Sequence, residues 1–172
     1  MIRLLNEKDR GILLDYVERN HIECTFHIGN IKQFGIENEP GIRRSGDYFG
    51  YFEGNELKEI IAFYNLGSCI PHFESDGAIK GFVDLMKGRQ FADLIGMKKY
   101  IFPLCQNILP YKKPKGMSED SYFINKNFKP FNLPGVEFSE ANDSILESEV
   151  NFMVEASLLG FKRKSTIEEK YT

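Results

Sequence analysis

The feature that most constrains this chain is an internal near-repeat: residues 134 to 172 read as the opening of a second copy of residues 1 to 33. At one constant offset of 134 positions, Val136 and Phe138 stand for Ile2 and Leu4, Asp143 for Asp9, and Leu146 and Val150 for Ile12 and Tyr16. In both places a short apolar run is followed by polar residues and then by apolar positions at helical spacing. Self-similarity of this length predicts two tandem domains of one fold, the second represented by its first strand and helices.

The first copy opens with a strand over residues 1–5. Asn6 then fits an N-cap with Asp9 three residues on, and Ile12, Leu13, Tyr16 and Val17 fall on one helical face. A second helix is predicted over 22–34, with Phe26, Ile31 and Phe34 able to meet a core and Gly35 as its stop. After a Gly/Pro loop at 36–46, residues 47–52 alternate through Tyr48, Phe49, Tyr51 and Phe52. The turn Glu53-Gly54-Asn55-Glu56 follows, and 57–66 supply the partner strand of an antiparallel hairpin. Pro71 and Gly77 read as a break. Ile79, Phe82, Val83 and Met86 then recur at helical spacing, and 91–95 read as a short strand. Gly96-Met97-Lys98-Lys99 leads into a helix over 99–109, which Pro110 and Pro114 end.

Further on, a strand is expected at 121–125 and a proline-containing linker from Asn127 to Pro134. In the tail helix Leu146, Val150, Met153, Val154, Ser157 and Leu158 share one face, with Gly160 as its stop. Ser165 and Glu168 form a capping-box start after it. The organisation expected is a domain over 1–128, a linker over 129–134 and the second copy's opening over 135–172.

Charge and hydropathy narrow the function classes. A net charge of -3 and a pI near 5.7 give no bulk attraction to nucleic acid. No apolar run is long enough to span a bilayer, and the charged residues after Leu5 leave no secretory core, so the expected location is the cytoplasm. Cys24, Cys69 and Cys105 lie far apart in a chain large enough to fold without staples, which predicts reduced thiols. The 15 Phe and 8 Tyr read chiefly as core.

The order strand, two helices, hairpin, helix, strand, glycine turn, helix, strand resembles the GNAT N-acetyltransferase superfamily, and more closely the N-terminal half of bacterial tandem GNAT proteins. The residues that carry the likeness are Ile2-Arg3-Leu4-Leu5 with Lys8-Asp9, the stretch from Phe26 to Ile31 with Phe34-Gly35, the hairpin, Gly96-Met97-Lys98-Lys99, and Ser121-Tyr122-Phe123-Ile124. The resemblance implies an α/β (α+β) fold with a mixed, mostly antiparallel sheet flanked by helices. It also implies acetyl-CoA as cofactor and transfer of its acetyl group to a small-molecule amine. The turn from strand four into a helix in that family carries Arg/Gln-x-x-Gly-x-Gly/Ala, whose backbone N–H groups cradle the pyrophosphate. Here the segment taken as that turn, Gly96, Met97, Lys98 and Lys99, has one glycine and two lysines. It reads either as a phosphate seat working by charge or as an ordinary turn before a solvated helix end. The resemblance further implies that the N-terminal half shapes the substrate cleft while the C-terminal half performs the transfer.

Other candidate chemistry is sparse. His21, Cys24 and His27 recur every three residues, but structural zinc uses tighter, turn-borne spacings, so no metal is expected. Cys24 reads instead as a small buried hydrophobe, and His21 and His27 as partly exposed. Cys69 and His72 are the nearest Cys/His pair, without a nucleophile-elbow signature around them. Arg43-Arg44 reads as solvated surface, and among Asp47, Glu53, Glu56 and Glu59 nothing selects a base for acetyl transfer. Catalytic residues thus remain unassigned. Two functions stay open: the non-catalytic half of an N-acetyltransferase, and a non-enzymatic ligand-binding or regulatory module. A homodimer through the apolar face of the C-terminal helix would cover Leu146, Val150, Met153 and Leu158.

Overall fold

In the computed structural model, residues 1–121, 124, 126, 127, 129, 134, 135 and 144–161 are described, the side chains of 157–161 excepted. Two compact units divide the chain, Met1–Glu119 and Asp120–Thr172.

The first unit is built on a five-stranded sheet in sequential order. Strand β1 (Ile2–Leu4) pairs antiparallel with β2 (Gly46–Glu53), β2 with β3 (Glu56–Tyr64), and β3 with β4 (Ser68–Phe73). Strand β5 (Asp93–Leu94) alone runs parallel to its neighbour, joined to β4 across helix α3 (Ile79–Gly88). The fold is therefore α/β with a mixed, mostly antiparallel sheet. The expected hairpin is there, closed by a two-residue turn in which Gly54 takes φ +59°. Its register steps by one residue at Tyr51/Phe52, a bulge that twists the ribbon.

Both faces of the sheet are covered. Helices α1 (Arg10–Arg19) and α2 (His21–Phe34) bury Leu13, Tyr16, Val17, Cys24 and Ile31 against Tyr48, Ile60, Ala62, Tyr64 and Ile70. On the other face, α3 and α4 (Lys98–Ile108) bury Phe82, Met86, Tyr100 and Leu104 against Phe49, Ile61, Phe63, Cys69 and Phe73. The start of the chain is held by Asp9, which accepts two N–H groups of Arg3 at 2.7 and 2.6 Å and the Asn6 amide at 3.1 Å. Arg3 holds the Asp9 carboxyl below the usual range against the opposing effect of burial.

Several expectations are corrected. Residues 68–73 form a full strand although Pro71 suggested a break. The Ile95 amide donates to Cys69 O, so the Cys69 backbone faces β5, and the period of two turns Pro71 the same way. Since β5 pairs only with Ser68 and Cys69, the missing N–H of Pro71 breaks no ladder bond. Ile12 and Phe26, expected in the core, are exposed, whereas His27, expected partly exposed, is buried. Helix α4 contains Pro103, which leaves the Lys99 carbonyl without its helical donor.

In the second unit, α5 (Leu146–Phe161) runs through Gly160 rather than stopping there. Val150 is buried while Leu146 and Phe152 are exposed. The expected strand at 121–125, apart from Ser121 and Ile124, lies outside the described residues. So do the repeat positions Val136, Phe138 and Asp143, and the Ser165/Glu168 cap. Among the described residues no helix is long and apolar enough to cross a membrane.

Candidate functional site: a polar cleft at the end of β4

Because β5 leaves the sheet after pairing with Cys69, the last residues of β4 stand beside a gap into which α1, α2 and α4 send polar side chains. The gap opens as a cleft of about 500 Å³ lined by Arg19, Asn20, Glu23, His72, Glu74 and Tyr100, among others.

Its centre is the Glu23 carboxylate from the first turn of α2. Oε1 accepts from Lys99 Nζ at 2.7 Å, and Oε2 accepts from the Tyr100 hydroxyl and lies 3.2 Å from His72 Nε2. Tyr100 Oη is also 3.0 Å from that nitrogen. On the far side of the ring, Tyr16 Oη lies 2.6 Å from His72 Nδ1. A carboxylate only accepts, so the neutral imidazole carries its hydrogen on Nε2 and receives the Tyr16 hydroxyl at Nδ1. Outside this network, Asn20 donates to Glu74 Oε1 at 2.9 Å, with Arg19 at 3.8 Å.

The electrostatics follow from burial and these bonds. Burial raises the Glu23 carboxyl, yet the bonds from Lys99 and Tyr100, the Lys99 charge and His72 together bring it below its ordinary value. Burial lowers His72 despite the opposing pull of Glu23, which favours the neutral ring. Burial, followed by the bond to Glu23, pushes the Tyr100 phenol up to about 12. Each group is satisfied by a neighbour: the carboxylate has three donors and both imidazole nitrogens are engaged. This arrangement fixes shape and charge, and leaves no free base at the centre of the cleft.

A second feature adjoins the cleft. The turn from β4 into α3 is Glu74-Ser75-Asp76-Gly77-Ala78, and the Ala78 amide just before the helix already has an acceptor. The fully buried Glu59 accepts the Ala78 amide at 2.8 Å on Oε2 and the Ser75 hydroxyl on Oε1. Burial raises the Glu59 carboxyl, and the two bonds moderate that rise.

The expected site residues are partly brought together. Once β4 is counted, Gly96, Met97, Lys98 and Lys99 follow the fifth strand rather than the fourth. Gly96 packs beside Ile101 and the Pro71 carbonyl, where an added Cβ would lie 3.2 Å from Ile101 Cδ1. Met97 precedes α4, Lys98 reaches out to Glu119 at 3.1 Å, and Lys99 alone turns into the cleft. His21 lies on the cleft rim, Cys24 is buried and His27 is enclosed under the sheet, so the three do not converge. No metal-binding group occurs among the described residues. Cys69 and His72 belong to opposite faces of β4, and burial raises the Cys69 thiol, so no nucleophile–base pair exists there. The hairpin carboxylates also scatter: Asp47 pairs with Arg89 at 2.5 Å, Glu56 with Lys58 at 2.8 Å, and Glu59 caps α3. Glu23, Tyr16 and Tyr100 carry no signal in the sequence that marks them as site residues, and Tyr16 reads there only as a core position.

The geometry defines an α/β domain with a polar cleft where its parallel edge strand departs. No protein-family model, curated protein or solved structure matches the chain.

Proposed function

We propose that the chain is the N-terminal, non-catalytic half of a tandem GNAT-type N-acetyltransferase, shaping a small-molecule cleft and not itself holding acetyl-CoA. The sequential antiparallel strands followed by a parallel fifth support the fold likeness. The observation that carries the non-catalytic reading is Glu59. A pyrophosphate needs the free N–H groups and positive end of the helix after strand four, and a buried carboxylate already takes the Ala78 amide just before that helix. The turn itself supports this reading: Glu74 stands where the family motif has Arg or Gln, Gly77 matches its first glycine, and Ile79 replaces its last small residue. Glu74 and Asp76 add negative charge where phosphates would approach.

The test is isothermal titration of acetyl-CoA into the purified chain, with free CoA and ADP as controls. No saturable binding up to millimolar ligand is expected, and saturable binding of acetyl-CoA overturns the non-catalytic reading. A second reading, a non-enzymatic ligand-binding or regulatory module, is favoured by the saturated Glu23 network. Under it, small amines titrated into the chain bind the cleft saturably and no acetyl transfer to them from acetyl-CoA accompanies the binding.

A further inference from the structure

His72 sits where α1, α2 and α4 meet, and its hydrogen bonds offer two complete arrangements. In the neutral ring, Nε2–H donates to Glu23 and Nδ1 accepts from the Tyr16 hydroxyl at 2.6 Å. Tyr16 Oη lies 3.3 Å from a second acceptor, the backbone carbonyl oxygen of His72 itself. A hydroxyl rotates and is both donor and acceptor. When Nδ1 gains a proton, Tyr16 can accept it and turn its own hydrogen to that carbonyl. No buried group then loses its partner in either state, so charging the ring costs its desolvation but strands no donor or acceptor.

We propose that His72, with Tyr16 as a rotor and Glu23 as counter-charge, is a reversible proton-binding site that sets the charge of the cleft. The groups facing it are Tyr16 and Arg19 from α1, Glu23 and His27 from α2, Glu74 beyond β4, and Lys99 and Tyr100 from α4. From β3 its register partner is the apolar Ile60, and His21 lies on the rim. With His72 neutral, the carboxylates of Glu23 and Glu74 match the cations of Arg19 and Lys99. One proton on His72 leaves the cleft with an excess positive charge. Glu23 then has two cations to share, and Lys99, at the exposed rim, becomes available to an anionic ligand group.

The test is an NMR titration of the imidazole nitrogens in the full chain and in Tyr16→Phe. The wild-type ring shows hydrogen on Nε2 at neutral pH and takes up a second proton with the fold intact, at a midpoint below that of free imidazole. In Tyr16→Phe the midpoint falls further, because the charged ring loses an acceptor worth more than the donor lost by the neutral ring. A Tyr16 fixed as donor stabilises only the neutral ring, so a midpoint that rises in Tyr16→Phe overturns the rotor. A neutral ring protonated on Nδ1, or a His72 that does not titrate before unfolding, overturns the site. Should Tyr16→Phe not fold, Glu23→Gln decides the counter-charge: the midpoint falls there, and an unchanged midpoint is a refutation.

Discussion

His27 makes the stability of the first unit depend on pH in a direction that can be worked out beforehand. The ring is 1% exposed between α2 and the sheet, where Nε2–H donates to the Ile70 carbonyl at 3.2 Å and Nδ1 has no partner. Burial, only partly opposed by that bond, lowers its pKa to about 4. The unfolded chain holds the same ring at an ordinary value of about 6.5. The unfolded state therefore binds the proton more readily. Stability from this group is complete above the unfolded value and is lost as pH falls from about 6.5 towards about 4. A gap of about 2.5 units at 1.36 kcal/mol each amounts to about 3 kcal/mol, a large share of the roughly 5–15 kcal/mol available to a domain. The perturbation is His27→Leu, assayed by urea unfolding at pH 7 and pH 4 beside the wild type. Carboxylates titrate in both chains and cancel in the comparison. Between the two pH values the wild type should lose about 3 kcal/mol more than the variant. Equal losses would refute the claim that burial holds His27 neutral.

Two further outcomes concern the buried carboxylates Asp9 and Glu59. Asp9→Asn removes the charge that Arg3 grips with two N–H groups, and since Arg3 is partly exposed the expected loss is about 1–2 kcal/mol by chemical denaturation; an unchanged unfolding midpoint would show that the pair contributes nothing. Glu59→Ala strands the Ala78 amide at the start of α3 and should cost about 2 kcal/mol. Fast hydrogen exchange at Ala78 and Phe82 would accompany that loss, and unchanged protection there would contradict the capping role.

What was legible in the sequence was what local pattern controls. Tyr48, Phe49, Tyr51 and Phe52 before Gly54-Asn55 specify a hairpin whatever surrounds them, and Ile79, Phe82, Val83 and Met86 specify one face of α3. Strand β4 was hidden because a proline argues against a strand unless its missing N–H faces an unpaired edge, and that edge exists only because β5 is short. Helix α2 carries apolar residues all round, so its spacing did not decide between Phe26, which is exposed, and the face of Cys24, His27 and Ile31, which is buried. The cleft was the least legible part. Tyr16 meets His72 across 56 residues and Glu23 meets Tyr100 across 77, contacts that only the sheet order creates. Lys99 was in view as a candidate, but for a phosphate rather than for Glu23.

The most direct test of the central claim is a backbone-amide NMR map of the chain during titration with acetyl-CoA. With Glu59 seated at the α3 N-terminus, the Gly77 and Ala78 amides, and those of Lys98 and Lys99, should stay in place as ligand is added. Saturable shifts at Gly77 and Ala78, showing Glu59 displaced by the cofactor, would contradict the account.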